Sequence, residues 1–569
     1  MTYQPPIAAM RRAAALVGQD RLAGTARFAE ATAETRDAIL EEAARMAAGA
    51  IAPLDAPGDR EGARLENGVV RLPEGFAAGF RALAEGGWIG LSAEPTHGGM
   101  GLPQSVAAMV LEMVSGACLA LQSNLLLTQG QIEALEAHAS PELRRMILPR
   151  LISGEWTGTM NLSEPQAGSD VGAVRCRAEP RGDGTYAITG EKIWITWGDH
   201  DLAENVMHLV LARLPDAPAG TRGISLFAVP KLWPGEDGLT PNHVRTLRLE
   251  EKLGQHASPT CALAYEGARG WIVGEREGGM AAMFTMMNTA RLTVGLQGVG
   301  IAGAALAKAA AHARERVQGK TADGSAGIVG HADVRRMLME MTAETEAARA
   351  IAYDCALAID MAEAAEDPAE REAAAARAAV LTPIAKAYGT ETGIRVADLG
   401  IQVHGGVGYV EETGAAQLWR DVRVAAIYEG TNGIQAMDLV GRKLSMDGGA
   451  AAGRLLDAAE ATAGAAREAG EAALAAQLSA ALATARETLG WMVLAGRDDR
   501  AAGGTPFLRM MALVLGGHHL LRAALGDEGR RPVAAFFLAQ RLPHAAAEAA
   551  AAREGAAPLY AVPAEGFGT

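Results

Sequence analysis

Residues 156–170, WTGTMNLSEPQAGSD, mark the point at which helical spacing gives way to short β-prone runs. From Trp156 to about Gly274 such runs alternate with turn residues, and RGDG at 181–184 is typical of a hairpin turn. The pattern predicts a compact all-β domain, a small barrel or sandwich. Its predicted strands are 157–161, 175–178, 186–188, 193–196, 208–213 and 223–230.

Helical periodicity flanks this β-domain on both sides. The longest helical stretches, 334–365 and 369–399, have the length of bundle helices, and Pro383 is expected to kink or divide the second. The fold class is therefore α+β, with four predicted domains. They are an N-terminal helical domain (1–155), the β-domain (156–274), a four-helix bundle (275–446) and an extra C-terminal helical domain (447–569), which follows a predicted linker at 447–450.

Composition narrows the class of protein. The chain has 569 residues, of which 52 are basic and 67 acidic, giving a formal charge of −15. A nucleic-acid binder would carry a concentrated basic patch, so we expect no nucleic acid. The four cysteines are far apart and form no Cys/His cluster, so we expect neither disulfides nor a metal site. The N-terminus lacks a signal-peptide core, and the most apolar stretch, 113–132, is too polar to span a membrane, so we expect a cytoplasmic protein.

Two motifs in the β-domain are candidates for ligand binding. In LSEPQAGSD at 162–170, Pro165 fixes the backbone and Gly168 allows close approach, so exposed N–H groups and hydroxyls can hold a polar ring edge. An ordinary turn-rich loop explains this motif as well. In GEKIWIT at 190–196, Trp194 and Thr196 share one face of a strand. Taken alone, Trp194 is more simply a core residue.

Two further motifs follow the long helices. QVHGGVGY at 402–409 has three glycines in four residues, which permit close approach to a phosphate, although a tight helix–helix turn explains them equally. IYEGTNGIQ at 427–435 places Glu429 just before a predicted helix start. Most glutamates are solvated surface residues, so this motif alone is weak evidence for catalysis.

Together, in this order and on this helix–β–helix background, the four motifs resemble the acyl-CoA dehydrogenase family of flavoproteins over roughly residues 35–445. The resemblance implies FAD as cofactor, an acyl-CoA substrate, and oxidation of its Cα–Cβ bond to a trans-2-enoyl-CoA. It also implies electron-transfer flavoprotein as electron acceptor and a homodimer or homotetramer. By position, Glu429 is the base that takes the α-proton. In a second family pattern the base precedes the arginine matched by Arg291, but that residue is Ala290, which cannot take a proton.

The resemblance assigns further residues to the two ligands. Those expected to bind the acyl-CoA are Ser169, Arg291, Tyr428 and Gly430. Those expected to contact FAD within the chain are Met160, Leu162, Ser163, Trp194, Thr196, Thr431 and Asn432. Those expected to reach the FAD of a neighbouring subunit are Arg316, Gln318, Gln402, Gly405 and Gly406.

Within the family the chain is similar, at 87–103, 411–416 and 427–443, to a long bacterial branch. That branch includes enzymes that oxidise 3-methylmercaptopropionyl-CoA in dimethylsulfoniopropionate demethylation. One alternative is a fatty acyl-CoA dehydrogenase of β-oxidation. Another is a homologue that binds DNA in the alkylation response. Residues 447–556 hold 11 arginines and 12 acidic residues, so this segment is not the basic surface that DNA binding needs. A third, a flavin monooxygenase on the same fold, lacks the catalytic glutamate, so Glu429 in its full motif argues against it.

Overall fold

The computed structural model describes residues 3–568, and its N-terminal part is helical, as predicted. A short β-hairpin interrupts the helices, and the glycine-rich segment 86–101 forms a loop with two short 3₁₀ turns. The elements are α1 (Ile7–Val17), α2 (Ala33–Met46), α3 (Ala52–Glu61), β1 (Arg64–Glu66), β2 (Val69–Arg71), α4 (Phe76–Glu85), α5 (Gln104–Ala117), α6 (Leu119–His138) and α7 (Pro141–Ile152).

The β-domain is a small closed barrel. Its strands are β3 (Trp156–Asn161), β4 (Arg177–Pro180), β5 (Tyr186–Thr196), β6 (Asn205–Arg213), β7 (Ile224–Pro230), β8 (Leu232–Gly235), β9 (Gly238–Pro241), β10 (Val244–Leu249) and β11 (Thr260–Val273). Pairing runs β11–β5–β4–β6–β7 and back to β11, which closes a ring; β10 extends it beside β11, and β3 pairs in parallel with β6. The barrel prediction is therefore confirmed.

One strand prediction is wrong. The runs 186–188 and 193–196 are not separate strands but parts of the single strand β5. The two runs are joined at Gly190, which has φ of 156°. Cys176 packs against this glycine so closely that an added Cβ would lie 2.9 Å from its sulfur. The predicted hairpin turn at 181–184 does join β4 to β5 in an antiparallel pair.

Long helices form the bundle that follows. They are α8 (Gly279–Glu315), α9 (Ala332–Ala364) and α10 (Pro368–His404), with shorter α11 (Ala415–Val422), α12 (Asn432–Asp438) and α13 (Leu444–Asp447); a π-helical stretch, Leu439–Lys443, joins the last two. Pro383 does not divide α10, because burial against α8 and α9 offsets the missing hydrogen bond. Where α8 crosses α10, a Cβ on Gly298 would clash with the carbonyl of Gly389, so the two backbones approach closely.

The C-terminal segment packs on the bundle. Gly448 and Gly449, both in the left-handed conformation, form the predicted turn. The helices after it are α14 (Ala450–Glu468), α15 (Ala472–Leu494), α16 (Arg497–Ala502), α17 (Gly504–Gly526), α18 (Arg531–Gln540) and α19 (His544–Arg553). Helices α17 and α18 lie against α9, and α17 also contacts α12. This segment therefore adjoins the helix that follows Glu429.

Helix α8 is long and apolar enough to cross a membrane, but 67% of its most apolar window is buried inside the protein. It packs against α5, α6, α9 and α10, as a core helix does. Within residues 3–568, no three His, Cys, Asp or Glu side chains are grouped to hold a metal ion. All four cysteines are free and buried.

Candidate active site

A strained turn presents the carboxylate of Glu429. Glu429 has φ of 55° and Gly430 has φ of 83°, so two successive residues are left-handed before Thr431 caps α12 by accepting the N–H of Ile434. A glutamate rarely adopts such a φ, and conformations of this kind persist where the surrounding structure enforces them, often at functional sites. The surrounding structure thus holds Glu429 in a backbone conformation that a glutamate does not favour.

Glu429 is half-buried, and one oxygen of its carboxylate is sealed from solvent. This oxygen, Oε2, has no hydrogen-bond partner among the described residues. Burial raises the pKa of Glu429 to about 7, while the positive charges of Lys386 and Arg291 oppose that rise. A carboxyl group with this pKa is half ionised near neutral pH, which suits a general base.

Lys386 is part of this site and was missed by the sequence analysis. Its side chain on α10 is 0% exposed, and its ammonium donates to the carbonyl of Gly430 (2.9 Å) and to the side-chain oxygen of Asn432 (3.0 Å). Burial lowers the pKa of Lys386 to about 7, and Glu429 opposes that shift. The available signal was a single lysine within the otherwise apolar run PIAKAYG at 383–389.

Arg291 lies on α8 at the same site. Its guanidinium is 3% exposed and pairs with Asp438 of α12 at 3.0 Å, while its Nε is buried without a partner in the described chain. Arg442 pairs with the other oxygen of Asp438 at 2.9 Å. The structure therefore rules out the surface salt bridge that would be the ordinary interpretation of Arg291.

Tyr428 closes the opposite side through a buried polar network. Its hydroxyl donates to the side-chain oxygen of Gln297, whose amide donates to Gln122 at 2.6 Å. Beside them, Ser123 donates to Gln255 at 3.1 Å. All four partners are buried, and the amide nitrogen of Gln122 has no acceptor among the described residues. Gln122 and Ser123 made the stretch 113–132 too polar for a membrane span, but nothing in the sequence showed that they meet Gln297 and Tyr428.

The candidate flavin loop and strand β5 are joined directly. The N–H of Ile193 donates to the carbonyl of Ser163 at 3.0 Å, and the ammonium of Lys192 donates to the carbonyl of Leu162 at 3.0 Å. Trp194 sits in a β-bulge with φ of 60° and is 59% exposed, so a core role for Trp194 is wrong. A bulge re-aims a side chain, and this one leaves the indole uncovered beside the loop.

The other predicted residues of the β-domain lie nearby in the chain. Met160 on β3 and Thr196 at the end of β5 are half-buried, whereas Ser169 is exposed on the loop. Thr431 and Asn432 lie at the N-terminus of α12, as predicted. The Asn432 side chain is turned inward, where its nitrogen donates to Thr390 at 3.1 Å.

Helix α6 connects the flavin loop to the Glu429 turn. The N–H of Gly158 on β3 donates to Thr128 at 3.1 Å, and the indole of Trp197 donates to the carbonyl of Ala120 at 3.1 Å. Gln122 of the same helix joins the network of Tyr428. The two parts of the site are therefore fixed to one buried helix.

The residues expected to act across subunits are not brought to Glu429. Arg316, at the end of α8, lies 25 residues from Arg291, about 37 Å along the helix. Gln318, Gln402, Gly405 and Gly406 are exposed with it. The rings of His312 and His404 stack at 4.4 Å and bring the ends of α8 and α10 together. These residues form a second group on the surface, which we call the distal cluster.

Trp194, the loop 162–170 and Glu429 together suit the binding of a flavin. A flat, uncovered indole lies beside the loop 162–170, and a buried carboxylate oxygen without a partner among the described residues lies on the helical side. The barrel, the bundle and this carboxylate define a class of proteins, the flavin-dependent dehydrogenases that remove a proton from the substrate.

The chain belongs to the acyl-CoA dehydrogenase family. The family's N-terminal, middle and C-terminal domains match residues 33–155, 159–268 and 277–444. It is 46% identical over 542 residues to 3-methylmercaptopropionyl-CoA dehydrogenase of Ruegeria pomeroyi, covering 93% of this chain and 92% of that protein. The chain is an FAD-dependent acyl-CoA dehydrogenase, which confirms the family, cofactor and reaction class expected from the motifs.

Two other comparisons extend over the whole chain. The broad-specificity linear acyl-CoA dehydrogenase FadE5 of Mycobacterium tuberculosis is 32% identical over 574 residues, covering 93% of each protein. The acyl-CoA dehydrogenase of Bacillus anthracis, solved with FAD, superposes with a TM-score of 0.75 at 22% identity, over 93% of this chain and 89% of that one. The structural likeness therefore includes the C-terminal helices.

Proposed function

We propose that Glu429 is the base that takes the α-proton of an acyl-CoA thioester. The carboxylate has a free buried oxygen and a pKa raised to about 7. The α-proton of a thioester is a weak acid, so the site must also stabilise the developing negative charge on the thioester oxygen. In the part of the chain that the structure describes, the backbone N–H of Glu429 has no acceptor, so it is free to donate to that oxygen. Bound FAD would accept the β-hydride.

The chain's own residues would hold the two ligands on either side of that carboxylate. Leu162, Ser163 and Trp194 would hold the flavin from the barrel, with Met160 and Thr196 beside them. Gly430 would leave room for the acyl chain beside Tyr428. As the family resemblance implies, Arg291 and the exposed Ser169 would bind the CoA portion.

We propose 3-methylmercaptopropionyl-CoA as the preferred substrate. The similarity of 46% to the Ruegeria enzyme supports it, as does the polar network behind Tyr428. A long alkyl chain would have to displace buried, hydrogen-bonded amides. Each amide group left unpaired would cost about 1–3 kcal/mol. A short chain ending in a thioether leaves the network intact, and sulfur can accept a weak hydrogen bond from the free amide of Gln122.

A straight short-chain substrate is the second candidate. A butyryl-CoA dehydrogenase of Syntrophomonas wolfei is 42% identical over 357 residues, although these cover only 60% of this chain. The same network limits the length of the acyl chain, so it favours butyryl-CoA over palmitoyl-CoA. It does not by itself separate butyryl-CoA from the methylthio substrate.

We infer that the active form is a homodimer or homotetramer in which FAD is shared between subunits. The distal cluster lies too far from Arg291 to serve the same CoA site, and bulky apolar side chains lie exposed around it, among them Val317, Val407 and Tyr409. Covering this surface with a second subunit would place Arg316 and Gln402 on the neighbour's cofactor. Electron-transfer flavoprotein would then take the electrons in the cytoplasm.

A DNA-binding role has little support from the C-terminal segment. Eight of its arginines are in ion pairs with acidic residues of the same chain, such as Arg541 with Glu344 and Arg509 with Glu391. Paired arginines offer little charge to a phosphate backbone. We therefore assign this segment to packing on the bundle.

An acyl-CoA panel tests the proposed function. FAD-loaded protein is assayed with an artificial electron acceptor against 3-methylmercaptopropionyl-, butyryl-, octanoyl- and palmitoyl-CoA. We expect the highest kcat/KM with the methylthio substrate and the lowest with palmitoyl-CoA. A preference for palmitoyl-CoA would contradict the substrate proposal, and no turnover with any thioester would contradict the role of Glu429.

A further inference from the structure

Lys386 is a buried lysine without the carboxylate partner that such a residue usually has. In the described chain it has no carboxylate within ion-pair distance, yet its side chain is fully buried. Both acceptors of its ammonium, the carbonyl of Gly430 and the side chain of Asn432, come from the segment directly after Glu429. An apolar side chain would fill this position in α10 at a lower desolvation cost.

The same stretch of α10 binds that segment at further points. The nitrogen of Asn432 donates to the hydroxyl of Thr390 (3.1 Å) and to the carbonyl of Ala387 (3.4 Å). Gln435 donates from the other side to the carbonyls of Glu429 (3.3 Å) and Gly430 (3.1 Å). Donors from α10 and from α12 thus hold the turn of Glu429 and Gly430, and Lys386 is the only one of them that can carry a charge.

We propose that Lys386 is a positioning residue, which holds the turn of Glu429 and Gly430 and, when protonated, places a positive charge near the carboxylate. The proposal rests on the proposed function, because it concerns the base of that reaction. Lys386 would touch neither the substrate nor the flavin. It would act through the geometry of the turn and through its charge.

The charges around Lys386 define what its removal would do. Arg291 faces the same carboxylate from α8, with Asp438 and Arg442 as its partners, and Glu391 lies on α10. Lys386 and Arg291 both lower the pKa of Glu429 against the effect of burial. Without Lys386, only Arg291 opposes burial, so the pKa of Glu429 must rise.

The test compares Lys386→Met and Lys386→Gln with wild type and with Lys308→Met. Lys308 is a half-buried lysine on α8 that donates to the carbonyl of Thr413, away from Glu429, so it controls for the loss of a buried lysine. Flavin content, kcat, KM and the pH dependence of kcat/KM are measured for the FAD-loaded proteins with butyryl-CoA and 3-methylmercaptopropionyl-CoA. Gln keeps one donor without charge, so it also provides a folded variant if Met does not accumulate.

We expect both Lys386 variants to retain FAD and to lose activity in kcat rather than in KM, by roughly 10²-fold for Met and less for Gln. The pH below which kcat/KM falls should move up by about one unit in both, and not in Lys308→Met. A folded, FAD-loaded Lys386 variant with the wild-type pH profile would overturn the proposal. If wild type itself oxidises neither thioester, the proposed function fails instead, so the two failures are distinguishable.

Discussion

The hydroxyl of Tyr428 donates a hydrogen bond to the side chain of Gln297, which lies 131 residues earlier in the chain. This bond ties the residue before Glu429 to the middle of α8, and Gln297 passes the connection to Gln122 on α6. The residue beside the proposed base therefore belongs to a buried network, which we propose forms the wall of the acyl site. Changes in that wall should alter substrate preference before they alter the chemical step.

The double substitution Gln122→Leu/Gln297→Leu should shift preference toward longer alkyl chains. It replaces two buried amides by apolar groups of similar volume, so the relative kcat/KM for octanoyl-CoA over 3-methylmercaptopropionyl-CoA should rise, roughly tenfold. The comparison is made at saturating electron acceptor. Thr392→Val, which removes a buried hydroxyl elsewhere on α10, should leave the ratio unchanged. An unchanged ratio in the double variant would show that the network does not contact the acyl chain.

The pH dependence of kcat/KM should follow the raised pKa of Glu429. The base acts when deprotonated, so kcat/KM should fall about tenfold per pH unit below pH 7 and level off above it. Because the pKa in the folded protein lies above the usual 4.5, this group also lowers the stability of the fold as pH rises from 4.5 to 7. A profile that stays flat down to pH 5 would mean that the base is not a buried carboxylate.

Assembly should be linked to FAD binding through the distal cluster. Arg316→Ala removes a charge that would contact the diphosphate of a neighbour's FAD, so FAD should dissociate more readily, most of all at low protein concentration. Sedimentation at a flavin wavelength across a dilution series measures both properties. Arg314→Ala, which removes an exposed arginine two residues earlier, is the matched control. Equal FAD retention by the two variants at every concentration would contradict an FAD site shared between subunits.

The buried ion pair of Glu112 and Arg349 should dominate the stability of the N-terminal contact with the bundle. Arg349 donates to one carboxylate oxygen of Glu112 at 2.7 Å, and the hydroxyl of Tyr353 donates to the other oxygen of Glu112 at 2.7 Å. Glu112→Leu leaves an unpaired buried charge and should cost about 3–5 kcal/mol in the free energy of unfolding. Glu112→Leu/Arg349→Met should recover part of that loss in denaturant titration. A single variant as stable as wild type would show that the pair contributes nothing.

The sequence predicted the domain order, the barrel and the long helices, because these depend on local periodicity and turn residues. It also pointed to Glu429, whose motif is contiguous. It did not predict that α10 continues through Pro383 or that β5 is a single strand. Both depend on packing partners far away in the chain, namely α8 for the helix and Cys176 for Gly190.

The parts of the site that the sequence missed are those formed by pairing across elements. Lys386 and Gln297 are single polar residues on apolar stretches of helix, and Gln122 begins a short polar run on α6. Nothing local shows that the three meet near Glu429. For Trp194, the strand pattern alone also allowed a core role, and only the family resemblance pointed to the flavin. The bulge that exposes it depends on the pairing of β5 with β11, which spacing alone does not show.

Reduction of bound FAD by substrate in Glu429→Gln tests the central claim most directly. The amide keeps the size of the side chain but cannot take a proton, so the variant should purify with FAD and bind the thioester. Under anaerobic conditions, 3-methylmercaptopropionyl-CoA should bleach the flavin of wild type, and should do so roughly 10²–10⁴-fold more slowly in the variant. Bleaching within a few-fold of the wild-type rate would contradict the assignment of Glu429 as the base.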